Sequence, residues 1–541
     1  MRQPSYNSLL FLVIMILTVW PVRSATQQTW WKEAVFYQIY MPSFQDSNGD
    51  GYSDFTGMTS RLDYLQSLGI KGIWLTPFLK SPKVDNGYDV ADYYQIDPVY
   101  GTMKDFQHFL DEAHRRGIHV IMDMVVNHTS TDNHWFQESR KSKDNPYRDY
   151  YIWRDKPNNW ESYFGGGAWA LDSLTGQYYL HQFAVRMADL NWSNPKVVDE
   201  VRQVLRYWLD KGIDGFRFDV INNLKTDTLL PDNPMVNGLQ KHLYDENQSG
   251  VKKMMSLLKK TINDYPDKFE VGEISSDKIE VLSQYQSPQL MDVVFNFNFG
   301  SMPHFSVERI FNELQHMNQT MTGYPTLFFG SHDNPRLMNR MADGNPERAE
   351  ALAALILTAK GVPFVYYGEE IGMENIEAKT YDEIADIQGK TFYNLAIKDG
   401  KSPEEALKWG NEHNRDKSRS PMQWDNSVNG GFTAGKPWIK LHEDLPVVNV
   451  RLEEQQPHSI LNTYKKLIAI RNAEKALQYG DYVRLERHGD LIRYARSYDG
   501  TTVTVILNFG KKARITVPKD ATILMGTASL KTNGYLIYKQ S

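Results

Sequence analysis

Three carboxylates in this chain each follow a short apolar run. Asp219 follows Gly215-Phe216-Arg217-Phe218, Glu273 follows Phe269-Glu270-Val271-Gly272, and Asp333 follows Leu327-Phe328-Phe329-Gly330-Ser331-His332. If the first run is a strand, its period of two sends Arg217 and Asp219 to one face. A buried aspartate alone would protonate or destabilise the fold, whereas a neighbouring guanidinium keeps it ionised. An ionised, aimed carboxylate is what a covalent nucleophile needs. Two carboxyls flanking one bond are the minimum apparatus for glycoside cleavage: one attacks the anomeric carbon and the other protonates the leaving oxygen. Their pKa values must then be pushed apart, the nucleophile held low by Arg217 and the acid kept protonated by its surroundings. A single aspartate at a strand end commonly caps the next helix. Three, accompanied by Arg217, His128 and His332, make that reading poor.

The elements that must position these residues are legible as an alternation. Strands are expected at 34–40, 72–76, 118–126, 215–218, 268–272, 292–295, 326–329 and 363–366, with helices at 103–116, 195–211, 252–262, 346–358 and 459–472. Asn194 and Pro195 supply a cap and a first-turn proline for the second of these helices. Eight strands alternating with helices predict a (β/α)₈ TIM barrel, whose C-terminal rim would gather the three carboxylates. The stretch 129–190 breaks the pattern, is dense in Trp, Tyr, Gly and Asn, and reads as an inserted subdomain after the third strand. After 477 the texture becomes short, alternating and rich in Val, Tyr and Thr, with Asp499-Gly500 and Asn533-Gly534 as hairpin signals. The expected layout is therefore a barrel over 25–128 and 191–477, a subdomain over 129–190, and a C-terminal antiparallel β-sandwich over 478–541, with strands at 482–486, 491–497, 502–508, 514–517 and 534–538.

Four segments resemble the ordered signature regions of the α-amylase superfamily. They are Asp123-Met124-Val125-Val126-Asn127-His128, the run 215–220, Val271-Gly272-Glu273, and Ser331-His332-Asp333-Asn334. The resemblance implies Asp219 as nucleophile and Glu273 as general acid/base. It implies Asp333 as a sugar-hydroxyl ligand, Arg217 as the holder of Asp219, and His128 and His332 as donors at the cleaved subsite, with Asp123 and Asn127 below. Asn86-Gly87-Tyr88-Asp89 and Asn334-Pro335-Arg336 resemble the α-glucosidase and oligo-1,6-glucosidase group. That group implies Tyr88 under the terminal glucose and Asp89 with Arg336 clamping its outer hydroxyls, hence an exo-acting pocket. The loop from Arg415 to Trp424 resembles the aglycone-side loop of the same group, with Arg419 a substrate contact.

Linkage preference is read from conflicting hints. Val220 resembles enzymes that prefer α-1,6 bonds, whereas Asp232-Asn233-Pro234 and His242-Leu243-Tyr244-Asp245 resemble α-1,4-type glucosidases. Met187-Ala188-Asp189-Leu190-Asn191 departs from the group's usual Gln-Pro-Asp-Leu-Asn. A mixed retaining α-glucosidase acting on short oligosaccharides or disaccharides ranks first. A transglycosylase or sucrose/trehalose-converting isomerase on the same scaffold comes second, and a non-catalytic binding relative last.

Asp46-Ser47-Asn48-Gly49-Asp50-Gly51-Tyr52-Ser53-Asp54 is the metal candidate. Oxygen side chains at alternate positions copy the first part of a calcium loop, but Gly57 stands where an EF-hand has its bidentate glutamate. The glucosidase group often holds one structural Ca²⁺ in this loop. The expected ligands are Asp46, Asn48, Asp50 and Asp54 with the Tyr52 carbonyl; the alternative is an Asx-rich turn without metal.

Composition bounds the rest. A net charge of −6 gives no electrostatic reason to expect nucleic acid, and the absence of cysteine excludes disulfides and thiolate metal sites. Residues 1–24, with Arg2, an apolar run from 9 to 20 and Ser24-Ala25, read as a cleaved secretory signal peptide or a retained anchor. A secreted or periplasmic monomer without a membrane span after signal removal is expected.

Overall fold

The computed structural model of the chain describes residues 29–540. The expected signal peptide lies outside the described residues. Among the described residues no helix is long and apolar enough to cross a membrane.

Eight parallel strands form the barrel: β1 Phe36–Ile39, β2 Gly72–Leu75, β3 His119–Met124, β4 Gly215–Phe218, β5 Phe269–Gly272, β6 Val293–Val294, β7 Thr326–Leu327 and β8 Val362–Tyr366. Their order is β6-β5-β4-β3-β2-β1-β8-β7. The seam between β6 and β7 is stitched by a side chain, since Thr326 Oγ1 accepts from Asn296 N at 3.0 Å and donates to Val294 O at 3.3 Å.

Alternation decides which residues enter the barrel. Phe36, Trp74, Ile121, Phe269, Val271, Val293, Phe295, Phe328 and Phe364 form one buried cluster, with Phe36 and Phe364 stacked at 4.8 Å. Phe216 and Phe218 belong instead to the larger helix-facing core. Gly215, which begins β4 at φ +157, could not be replaced by a residue with a Cβ: that atom would stand 1.9 Å from Phe269 O. The glycine lets β4 and β5 approach where the pair begins, at the end of the barrel opposite Asp219 and Glu273.

The outer helices follow the apolar periodicity. The helix Pro195–Asp210 buries Val197, Val198, Val201, Val204, Leu205, Trp208 and Leu209, and its Asn194 cap accepts from Lys196 N. The helix Met103–Arg115 carries a capping box between Thr102 and Asp105. Outside these, the helices Val307–Thr320, Ile387–Lys398 and Pro403–His413 occupy stretches where no element is expected from the sequence. The last two pack on each other with Gly389 and Gly410 at their contact, and a glycine inside a helix masks the periodic signal.

The inserted segment closes on itself where His128–Ser130 pairs antiparallel with Met187–Asp189, and it holds the three short strands Trp153–Arg154, Trp169–Leu171 and Tyr178–Leu180. The C-terminal unit is a five-stranded antiparallel sheet: β9 Asp481–His488, β10 Leu491–Tyr498, β11 Thr501–Asn508, β12 Thr522–Gly526 and β13 Gly534–Gln540. The strand expected at 514–517 is not a member of that sheet. Only Ala513–Arg514 is extended, in a two-stranded ribbon with Ser529–Leu530, and Pro518 follows shortly after; β12 takes the edge position instead. Arg496 of β10 is fully buried and donates to Ala359 O at 2.9 Å and Gly480 O at 3.0 Å, fastening the sheet to the barrel.

Candidate active site

Register builds the site's centre. Arg217 of β4 stands opposite Asp123 of β3 and Val271 of β5. Its Nη1 donates to Asp219 Oδ1 at 2.7 Å and Asp123 Oδ1 at 2.8 Å, and its Nη2 donates to Glu273 Oε2. Burial of the guanidinium works against its charge, and the three carboxylates overcome this and hold it protonated. Burial pushes the Glu273 carboxyl well above the ordinary range; Arg217 opposes this, while Asp219 and Asp333 reinforce it. Burial also lifts Asp123, to about 7, against the pull of Arg217.

A cavity of ≈ 410 Å³ opens above this centre, and Asp219, Glu273, Asp333, Tyr88, His128, His332 and Val220 all line it. This volume is in the range of small-ligand sites. Val220 adopts φ 36, ψ 49, a left-handed conformation unusual for a β-branched residue, at the first position after Asp219.

Two buried histidines have defined tautomers. Gln38 Nε2 donates to His332 Nδ1 at 2.7 Å, so the proton sits on Nε2, 2.6 Å from Tyr88 OH and 3.1 Å from Asp333 Oδ2. Tyr88 OH then donates to Asp123 Oδ2 at 3.0 Å, and its ring lies parallel to that of His332. Asn127 Nδ2 donates to His128 Nδ1 at 3.3 Å, which turns the His128 Nε2 proton to the Tyr88 carbonyl at 3.2 Å. Burial lowers His128 to about 4 and His332 to about 3, so both are neutral at pH 7. Tyr88 reaches this position through Gly87 at φ +107, where a Cβ would meet Pro77 O at 2.7 Å.

The polar end of the cavity is an ion-pair network. Arg415 Nη2 bonds Asp85 Oδ1 at 2.5 Å and Asp386 Oδ1 at 2.6 Å, and its Nη1 lies 3.5 Å from Asp333 Oδ1. Arg419 Nη2 donates to Asp333 Oδ1 at 3.2 Å and its Nε to His332 O at 2.9 Å. Burial acts to raise Asp333, but His332, Arg415, Arg419 and Arg217 outweigh it and hold the carboxyl below its ordinary range. Asp85 is lifted to about 6 by burial, against Arg415.

The sequence-derived residues thus divide. Asp219, Glu273, Asp333, Tyr88, His128 and His332 converge on one cavity, with Arg217 beneath it and Arg419 behind Asp333. Asp89 is not at the cavity: it is fully buried, and its carboxylate accepts from Ser81 Oγ, Val84 N and Asp85 N, which shapes the loop. Arg336 is likewise turned away, donating through Nη1 to Tyr367 O and lying against the Tyr366 and Tyr367 rings. Asp85 and Arg415, paired with each other, line the cavity instead. Asp85 directly precedes the Asn86-Gly87-Tyr88-Asp89 motif and Arg415 opens the loop that runs to Trp424, so the sequence carries a signal for both. Gln38 and the aromatic walls Phe164, Phe183 and Phe297 carried no local signal.

In the loop 46–54, Asp46 accepts from Asn48 N, Gly49 N, Gly51 N and Thr433 Oγ1, and Asp54 from Ser47 N, Ser47 Oγ and Gly57 N. Asn48 and Asp50 each accept from the N–H two residues on. The donor set is hard oxygen throughout, which suits Ca²⁺, but both Asp46 oxygens and Asp54 Oδ1 already accept two hydrogen bonds each, so of the carboxylate oxygens on these two residues only Asp54 Oδ2 keeps a free lone pair. Among the described residues no three His, Cys, Asp or Glu side chains gather around a metal-sized space, so a cation here would draw on Asn48 and the Tyr52 carbonyl as well.

A (β/α)₈ barrel presenting two carboxyls on one guanidinium at its C-terminal rim is the architecture of a glycoside hydrolase. The chain belongs to the alpha-amylase family, whose catalytic-domain description matches residues 38–480. It is 41% identical over 517 residues to an oligo-1,6-glucosidase of Parageobacillus thermoglucosidasius, covering 90% of this chain and 92% of that one. It is 38% identical over 532 residues to a trehalose-6-phosphate hydrolase of Escherichia coli, covering 94% and 95%. Among solved structures, the trehalulose synthase MutB of Pseudomonas mesoacidophila superposes with a TM-score of 0.88 at 36% identity, over 94% of this chain and 99% of that one.

Proposed function

We propose that this chain is a retaining, exo-acting α-glucosidase that releases terminal α-1,4- or α-1,6-linked glucose from short oligosaccharides. The observation that carries the reading is the shared guanidinium: Asp219 and Glu273 accept from the two terminal nitrogens of Arg217. Two carboxyls bridged by one guanidinium are set close together, as the ~5–5.5 Å separation of retaining enzymes requires, rather than parted by the ~6.5–9.5 Å that an inverting water needs. Asp219 attacks the anomeric carbon as Glu273 passes its proton to the departing oxygen. The glucosyl ester on Asp219 is then hydrolysed by a water whose proton returns to Glu273. Asp333, poised by His332, Arg415 and Arg419, binds the ring hydroxyls, and the Asp85–Arg415 pair closes the far wall. Oligo-1,6-glucosidase relatives support the glucosidase reading. The test is a panel of isomaltose, maltose, sucrose, trehalose and starch, with the product anomer followed by NMR. Release of α-glucose from the disaccharides is expected, and starch cleaved faster than disaccharides would overturn the pocket assignment.

The likeness to a trehalulose synthase supports a second outcome on the same intermediate, capture of the glucosyl group by a sugar instead of water. Isomeric disaccharides from sucrose in the same panel would reveal it. The loop 46–54 is proposed as a structural Ca²⁺ site, and a chelator-dependent fall in melting temperature restored by Ca²⁺ but not Mg²⁺ would support it. Residues 1–24 are proposed as a secretion signal and the mature chain as a monomer, to be checked by N-terminal sequencing of the exported protein and by light scattering.

A further inference from the structure

The turn that follows Asp219 is bound to the segment that carries Glu273. Val220 is left-handed at φ 36, and the chain then bends through Ile221, Asn222 and Asn223. A β-branched residue rests in that conformation only when its surroundings hold it. The holding contacts run to residues 272–275. Ile221 packs so closely on Gly272 that a Cβ there would lie 2.6 Å from Ile221 Cδ1. Ile221 N donates to Glu273 O at 3.0 Å, and Glu273 N donates to Phe218 O at 2.9 Å. Asn222 completes the grip: its Nδ2 donates to Ser275 O at 3.2 Å and its Oδ1 accepts from Ser275 N at 3.2 Å.

Two bonds to one residue make the Asn222 amide a substitute for a neighbouring strand, because an antiparallel pair exchanges the same N–H and C=O groups. They also fix which way the amide points, since only Oδ1 accepts and only Nδ2 donates. Asn222 is fully buried, and its own carbonyl accepts from Asn247 N at 2.8 Å, which anchors it on the side away from Ser275. Ser275 lines the catalytic cavity and Asn222 does not, so the amide acts on the site through the backbone alone. Glu273 lies between the two gripped points, Gly272 and Ser275. A buried asparagine can also serve folding only, by satisfying a loop's backbone. The two roles differ in what they do to proton transfer.

We infer that Asn222 is a positioning residue for the proposed reaction: it holds the backbone of Glu273 at a fixed reach from Asp219, so that the acid meets the departing oxygen of a sugar. The inference rests on the assignment of Glu273 as that acid.

The test uses the full-length chain and two substrates that differ in their need for the proton. Isomaltose releases a sugar alkoxide and requires it, whereas a nitrophenyl α-glucoside releases a stabilised phenolate and needs little. Asn222→Leu, of similar size with neither polar atom, should lower kcat/KM for isomaltose by about 10²-fold, the cost of misplacing a catalytic group by about 1 Å, and for the aryl glucoside by less than about fivefold. Asn222→Asp, which keeps the acceptor for Ser275 N and loses the donor to Ser275 O, should fall between. The alkaline limb of the isomaltose profile should move to lower pH in Asn222→Leu, because a carboxyl freed to turn towards water ionises more readily. Turnover of the aryl glucoside shows that each variant is folded. Equal losses on the two substrates in both variants, or an unmoved alkaline limb, overturn the inference. Glu273→Gln measured alongside separates the two assignments. A selective loss on isomaltose there, but not in the Asn222 variants, refutes the role of Asn222 alone. Equal losses there refute Glu273 as the acid, and the inference with it.

Discussion

Gln38 donates to Nδ1 of His332 over 2.7 Å, and this one bond decides which imidazole nitrogen carries a proton into the catalytic cavity. From there the polarity runs through Tyr88 and Asp123 to Arg217 and the nucleophile. Gln38→Leu should lower kcat/KM by about 10–100-fold, the equivalent of about 1–3 kcal/mol for an orphaned buried group. Gln38→Glu should be worse, because a carboxylate draws the proton to Nδ1. Nitrogen chemical shifts of His332 check the tautomer independently of rate.

Asp219→Asn should reduce turnover by about 10⁴-fold or more while leaving the melting temperature within a few degrees. Steady-state rates with isomaltose and a thermal melt measure both. Turnover within tenfold of the unaltered chain would remove Asp219 from the nucleophile's role.

The alkaline limb of the pH–rate profile should belong to Glu273. Its carboxyl is raised by burial and by Asp219 and Asp333, which favours the protonated acid, and it loses that proton as pH rises through the elevated value. Glu273→Gln should abolish the limb along with most of the activity toward disaccharides. An aryl glucoside, whose leaving group needs little protonation, should retain more activity than isomaltose.

Stability should fall in acid through the two buried histidines. Their folded pKa values, about 4 for His128 and about 3 for His332, lie below the usual 6.5. The unfolded chain therefore binds more protons between pH 6.5 and those values, and stability drops as pH falls through the window at ~1.4 kcal/mol per unit for each group once the unfolded imidazole is protonated. Denaturant midpoints measured from pH 7 to pH 4 should be flatter for His128→Gln than for the unaltered chain.

Asp85 and Asp89 should separate cleanly. Asp85→Asn, at the cavity wall beside Arg415, should raise KM and lower kcat/KM for disaccharides by about 10²-fold, with a smaller effect on folding. Asp89→Ala strips an acceptor from three donors of its loop and should act chiefly on stability, by about 1–3 kcal/mol. Val220→Ala removes methyl surface from the same cavity, and the ratio of maltose to isomaltose kcat/KM should rise about tenfold.

What the sequence makes legible is set by short range. Arg217 and Asp219 are two apart on a strand, and the period of two is enough to place them together. The barrel strands were legible because each is an apolar run bounded by turns, and β4 and the helix Pro346–Thr358 have the bounds expected of them. Asp89 and Arg336 were selected by motif, and the structure turns both away because their side chains satisfy backbone groups in their own neighbourhoods. Which of two nearby acids faces a cavity depends on a loop's path, and that path is set by Arg415, 330 residues from Asp85. No local pattern carries such a contact. The helical hairpin behind Asp386 was hidden for a related reason: its apolar residues are spread around both helices, which bury little except against each other.

The bond between Thr433 Oγ1 and Asp46 Oδ2 joins residues 387 positions apart, and Trp438 N reaches Gly51 O across the same divide. On the ribosome, at ~5–20 residues per second, the first loop of the barrel therefore waits roughly 20 to 80 seconds for its partner to be made. For most of that interval β1 also lacks β8, the neighbour on its open side. A chain that folds as it is made therefore carries an open sheet edge for most of its synthesis, and an open edge is a template for pairing with another copy.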